Sequence, residues 1–244
     1  MQQGKRWFVL AGGSLALLAG LAFARRAQSL PKTGAGAAKE PAAELDVVGS
    51  CAIAGAGADG KQYTGKADIE KIGGEMYKGS WLIGKTNFQS ICFRDDDILS
   101  CGWSGKHDLG VVAYLVKPDN SLDGVWFEEK NTSLGKEFLV GGNSNLLGTY
   151  TVKTGETPSK KKYTGTVEIS FESGVYKLKW KTGKTTLEGL GLRNGDVLTA
   201  GFNETGDFGV LQYRIKNGGK VLTGQWAQTK QATPGPGIET LTKK

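Results

Sequence analysis

The chain is poor in the residues that most active-site chemistry needs. Its 244 residues include one histidine, His107, and three cysteines. A single imidazole excludes a multi-histidine metal centre, and no Ser/His/Asp or Cys/His arrangement stands around it. No paired carboxylates sit at a spacing suited to acid–base work. Six prolines are too few for a proline-rich chain, and the 38 glycines follow no G-x-y period, which excludes collagen. Beyond residue 46 no stretch carries a helical period. The sequence therefore predicts no enzyme, no cofactor and no metal site.

One long apolar run is present. Lys5 and Arg6 precede eighteen uncharged residues, Trp7 to Ala24, and Arg25 and Arg26 follow. At about 1.5 Å per residue such a run just spans a hydrocarbon core. It reads either as a cleaved signal peptide ending at Ala22-Phe23-Ala24 or as an uncleaved signal-anchor. Gly12, Ala16 and Gly20 lie at i, i+4 and i+8, a stripe on which another membrane helix could pack closely. Both readings imply export, and the anchor implies a single-pass membrane protein with its folded part on the periplasmic or extracytoplasmic side. Residues 25–46, rich in Ala and Gly with Pro31 and Pro41, read as a flexible linker.

The rest of the chain is a duplication. Residues 47–141 and 142–244 are two copies of one unit. Tyr63-Thr64-Gly65 recurs as Tyr163-Thr164-Gly165, Trp81 as Trp180, and Gly84-Lys85-Thr86 as Gly183-Lys184-Thr185. Arg94, Leu99 and Gly102 recur as Arg193, Leu198 and Gly201. Gly110, Tyr114 and Trp126 recur as Gly209, Tyr213 and Trp226. Within each copy the apolar period is two: Tyr176, Leu178 and Trp180 alternate with Lys177, Lys179 and Lys181. Asn194-Gly195 and Asn217-Gly218-Gly219 mark hairpin turns. The expected fold is all-β, with two tandem up-and-down meander modules of about eight strands each. Each closes into a small barrel or folds into a sandwich, because an open meander leaves its edges unpaired. In strand order alone this resembles the avidin or lipocalin type of barrel, and none of those families' motifs is present. Tyr163, Tyr176, Trp180, Tyr213 and Trp226 are expected inside, which predicts a ring-filled interior with little cavity.

Several motifs invite a functional reading. Gly79 to Thr86 matches a phosphate-loop pattern, but its middle reads as strand and no helix follows, so Gly84-Lys85-Thr86 is expected to be a turn. Asp95-Asp96-Asp97 reads as a solvated turn, and Asp108 and Asp207 as caps of a hairpin. Cys92 and Cys101 flank that acidic turn and are the candidate disulfide, in keeping with export. The two copies differ in charge: 47–141 carries net −3 and 142–244 carries net +7. Lys160, Lys161, Lys162, Lys177, Lys179 and Lys181 form a candidate basic face for anionic lipid. With the stacking rings inside and the chain exported, no nucleic acid is expected. Ile91 and Phe93, with Leu190 and Leu192, share the outward parity of their strands and form either a candidate docking surface or a strip buried between the two barrels. Together these readings favour a membrane-tethered interaction protein, an accessory subunit of a larger membrane complex with other membrane proteins as partners. The alternative is a soluble binder of a small molecule or glycan that uses aromatic residues at a barrel mouth.

Overall fold

Alternating small and large apolar residues, punctuated by glycine turns, give strands and no long helix among the described residues. The computed structural model describes residues 45–105, 109–204, 206–231 and 233–244. The Trp7–Ala24 segment, with Gly12, Ala16 and Gly20, and the residues His107 and Asp108 lie outside the described residues. No helix among the described residues is long and apolar enough to cross a membrane.

Copy one contributes β1 (Gly49–Ala56), β2 (Gln62–Gly73), β3 (Met76–Ile83), β4 (Thr86–Asp95), β5 (Ile98–Ser104), β6 (Gly110–Val116), β7 (Leu122–Glu128) and β8 (Gly135–Gly141). Copy two contributes β9 (Gly148–Glu156), β10 (Lys162–Glu172), β11 (Val175–Thr182), β12 (Thr185–Asn194), β13 (Val197–Asn203), β14 (Gly209–Lys216), β15 (Val221–Gln228) and β16 (Gly237–Lys243). All sixteen lie in two closed antiparallel barrels of eight strands, so neither sheet has a free edge. The Gly84-Lys85 step is the β3–β4 hairpin turn, with Gly84 at φ +62°.

The barrels do not follow the repeat boundary. The first runs β1-β16-β15-β14-β5-β4-β3-β2 and the second β10-β11-β12-β13-β6-β7-β8-β9. Each takes five strands from one copy and three from the other. The modules expected at 47–141 and 142–244 are thus repeats of sequence, while the folded units exchange strands. The exchange happens after β5 and after β13, where the chain passes to the other barrel instead of turning back. Asp207 therefore sits in a crossover and not at a hairpin, and its carboxylate pairs with Lys230 at 3.3 Å. Sequence periodicity cannot tell the two arrangements apart. Both copies place the same residue types at the same registers, so β5 pairs equally well with β6 or with its counterpart β14.

Each barrel has its own core, and a third apolar cluster lies between them. Ile91, Phe93, Leu190 and Leu192 belong to this third cluster and are at most 6% exposed. They do point out of their barrels, but the two outer walls face each other there. The strip is consumed inside the molecule and is not a docking surface. Phe127, Phe208, Val111 and Val210 complete the seam. At its centre the Ser100 and Thr199 hydroxyls, repeat counterparts, meet at 2.7 Å, and Gln212 Nε2 donates to Thr199 Oγ1 at 2.9 Å. Two glycines set the close approach. A Cβ on Gly201 would stand 2.3 Å from the Gly209 carbonyl oxygen, and one on Gly102 2.5 Å from that of Gly110.

One end of each barrel is shut. Val47, 1% exposed and backed by Leu45, closes the first, and Leu146, fully buried, closes the second. Cys92 and Cys101 face each other across the β4–β5 ladder and are joined by a disulfide. Gly191 and Ala200 hold the same register in copy two. Cys51 is buried and free.

Candidate functional site

The open end of each barrel leads into a cavity walled by rings. In the first barrel it measures about 240 Å³ and is lined by Tyr63, Trp81, Ile83, Phe88, Trp103, Leu211, Trp226, Gln228 and Glu239. In the second it measures about 250 Å³, and Tyr163, Trp180, Thr182, Leu187, Phe202, Val112, Trp126, Glu128 and Glu137 stand at the nine corresponding positions, with Thr157 and Thr185 as two further lining residues. The expected rings do fill the barrel cores, where Tyr213 and Tyr114 are fully buried. Of the five rings expected inside, Tyr163, Trp180 and Trp226 also line a recess that is left open at each mouth.

Both cavities are composite in sequence. Tyr63 on β2 and Trp81 on β3 come from copy one, while Leu211, Trp226 and Glu239 on β14, β15 and β16 come from copy two. Tyr163 and Trp180 meet Val112, Trp126 and Glu137 the other way round. Each site is assembled by the strand exchange.

A buried carboxylate sits at the floor of each. Glu239 and Glu137 are both 4% exposed. Glu239 accepts hydrogen bonds from Tyr63 Oη at 2.8 Å, from Trp81 Nε1 at 3.1 Å and from the Tyr213 hydroxyl. Glu137 accepts them from Tyr163 Oη at 3.0 Å, from Trp180 Nε1 at 3.2 Å and from the Tyr114 hydroxyl. Every donor is neutral. Burial holds both carboxyls above the usual carboxylate range, against the pull of the three donors. Burial, together with the adjacent carboxylate, pushes Tyr63, Tyr163, Tyr114 and Tyr213 upward as well, so the phenols remain proton donors.

This titration has a sign. A carboxyl raised in the folded chain holds a proton that the unfolded chain has already lost. Stability is then greatest below the unfolded carboxylate range and falls as pH rises through the raised one. We expect urea midpoints of the wild type to fall across that window relative to a Glu137→Gln, Glu239→Gln variant. Each carboxyl contributes at most about 1.4 kcal/mol per pH unit. Parallel pH profiles for the two proteins would show that these carboxyls titrate as they do in the unfolded chain.

The rings stand as walls. Tyr63 and Trp226 meet edge-on at 70°, Phe88 and Trp103 at 76°, and Trp126 and Tyr163 at 69°. Across from three of the indoles lies a glycine on the neighbouring strand: Gly209 opposite Trp103, Gly237 opposite Trp226, Gly135 opposite Trp126. A Cβ at any of the three would fall within 2.6 Å of the indole Nε1. The N–H edges are thus pressed against the barrel wall, where they find no hydrogen-bond acceptor.

The candidate basic face is a striped one. Lys177 pairs with Glu172, Lys179 with Glu188 at 3.4 Å, Lys181 with Glu168 at 3.5 Å, and Lys160 and Lys162 share Glu156. Five of the six lysines predicted to form it, including all three on β11, stand beside a glutamate from the same hairpin or the adjoining strand. The surface for anionic lipid loses most of its net charge.

Glu137 and Glu239 escaped the sequence reading, as did Trp103 and Phe88. One signal was present: Gly135-Lys136-Glu137 and Gly237-Ile238-Glu239 recur on the last strand of each copy, with Leu139 and Leu241 two residues on. That parity places each Glu among inward residues, an unusual place for a charge. No family model, no curated protein and no solved structure matches the chain.

Proposed function

We propose that this is an exported, non-catalytic binding protein, tethered by its Trp7–Ala24 segment, whose two barrel mouths each hold one small organic molecule. The observation that carries the reading is the nine-position correspondence of the two cavities. Core packing alone would let duplicated interiors fill independently. Here each cavity keeps a Tyr, two Trp and a buried Glu, drawn crosswise from the two copies. Cavities of about 240 and 250 Å³ are below the common range for drug-sized ligands, so the occupant is small. The accessory-subunit reading drew on the duplicated outer wall, the Gly12–Ala16–Gly20 stripe and the lack of catalytic motifs, and of these the apolar wall is buried between the barrels.

Six tryptophans make the test direct, because five of them line the two cavities and the sixth is Trp7. Toluene titrated into ¹⁵N-labelled protein is expected to shift the indole signals of Trp81, Trp103, Trp226, Trp126 and Trp180. The Ile83→Trp and Thr182→Trp variants, which plug one mouth each, should silence the first three and the last two respectively. Five unmoved indole signals at toluene saturation would remove the reading.

A further inference from the structure

The lining of the two mouths has a definite electrical character. Neither contains a lysine, an arginine or a histidine. Each contains a buried carboxylate whose hydrogen bonds come only from neutral hydroxyl and indole donors. Once the carboxyl has lost its proton those bonds spread the charge without cancelling it, and a buried charge without a counter-ion is costly, which is why burial holds the proton on to higher pH. Around it stand aromatic rings, whose faces carry the negative part of the ring quadrupole. The N–H edges of Trp103, Trp226 and Trp126, the positive part, are turned into the wall against Gly209, Gly237 and Gly135, while those of Trp81 and Trp180 are taken up by the carboxylates. Carboxylate and ring faces therefore give the same sign of potential in the cavity.

Shape narrows the class further. Rings meeting at 49° to 76°, none of them parallel, make inclined walls. A flat aromatic ligand needs parallel faces to stack between, whereas a rounded group touches several inclined faces at once.

We infer that both mouths bind small organic cations, a quaternary or methylated ammonium group held in the aromatic box above Glu239 in the first barrel and Glu137 in the second. This rests on the cavity reading above and adds the chemical class of the ligand. A cation placed there gains from every ring face and supplies the counter-charge that the carboxylate lacks. The two mouths are not equal. Glu128 stands in the second where Gln228 stands in the first. The second mouth therefore carries an additional carboxylate, whose charge Lys130 at 3.7 Å and the Asn131 amide at 3.0 Å offset in part, so its advantage for cations is modest.

The test compares choline with 3,3-dimethylbutan-1-ol, its uncharged carbon isostere, on the full chain, by calorimetry and by the five indole signals. Two choline sites are expected, each about tenfold tighter than the alcohol. Glu128→Gln should loosen the second site about threefold, and Gln228→Glu should tighten the first by a similar factor. Both changes are at the rim, away from the buried networks. Choline keeps its charge at every pH, so its affinity should fall in acid as Glu137 and Glu239 take up protons. If the alcohol binds as tightly as choline, the cation assignment is overturned and the cavity reading survives. The same holds if toluene moves the indole signals and choline moves none. If neither toluene nor choline moves them, both readings fall.

Discussion

Replacing Gly201 with valine is expected to lower the thermal midpoint by about 10 °C, corresponding to about 3 kcal/mol or more in a chain of this size. The position tolerates no side chain. A Cβ there would lie 2.3 Å from the carbonyl oxygen of Gly209 and 3.5 Å from the Cα of Gly102. These are backbone atoms of the other barrel, and no side chain can swing aside to make room. The only relief is to part the barrels, which opens the cluster around Ile91, Phe93, Leu190 and Leu192. Gly102→Val should cost a similar amount for the mirror-related reason, its Cβ facing the Gly110 carbonyl at 2.5 Å. The double variant should cost less than the sum, because parting the barrels once relieves both clashes. Gly105→Ala, where an added Cβ meets nothing within 4 Å, should stay within about 0.5 kcal/mol of wild type. Calorimetry that finds Gly201→Val equal to Gly105→Ala would show that the seam yields at no cost.

A chain cut to residues 45–141 is expected to assemble as a dimer. One copy alone contains every member of the buried network, Tyr63, Trp81, Tyr114 and Glu137, along with the Leu45–Val47 plug. It also contains half of the inter-barrel cluster: Ile91, Phe93, Leu109, Val111 and Phe127. A lone barrel would leave that wall in water, a contiguous apolar surface that soluble monomers rarely expose. Two copies related by a twofold axis rebuild both barrels and bury both walls, since in the intact chain the strands already cross between repeats. Sedimentation equilibrium should give twice the fragment mass, with dissociation on dilution coupled to unfolding. A folded monomer would mean that β6 can turn back on β5 and that the seam is not needed for stability.

How much of this was legible can be argued residue by residue. The alternation Tyr176-Lys-Leu-Lys-Trp180 gives β11 and its buried face, because side-chain direction in a strand depends only on parity. The Asp96-Asp97 turn places Cys92 across from Cys101, because a two-residue hairpin fixes register. The same parity put Ile91 and Leu190 on the outside of their barrels, correctly, and could not say what the outside faced. The buried carboxylates were harder. Glu137 follows the inward parity of Leu139, but a lone charge in a strand ordinarily marks the solvent side. Only the convergence of Tyr114, Tyr163 and Trp180 from three other strands reveals why it points in.

Local order was thus largely legible in the sequence alone: about eight strands per copy, their turns, the duplication, and most of the apolar side chains that point inward. These follow from backbone geometry and nearest-neighbour chemistry, which act over a few residues. Partner choice was settled only in three dimensions. Because the two copies are alike, β5 can pair with β6 or β14 at the same register, and the local terms cancel. What separates the two outcomes is the contact between barrels, where Gly102 and Gly201 let backbones meet and the outward strips bury each other. The same exchange brings each Glu under rings of the other copy, so the candidate site exists only in the assembled fold.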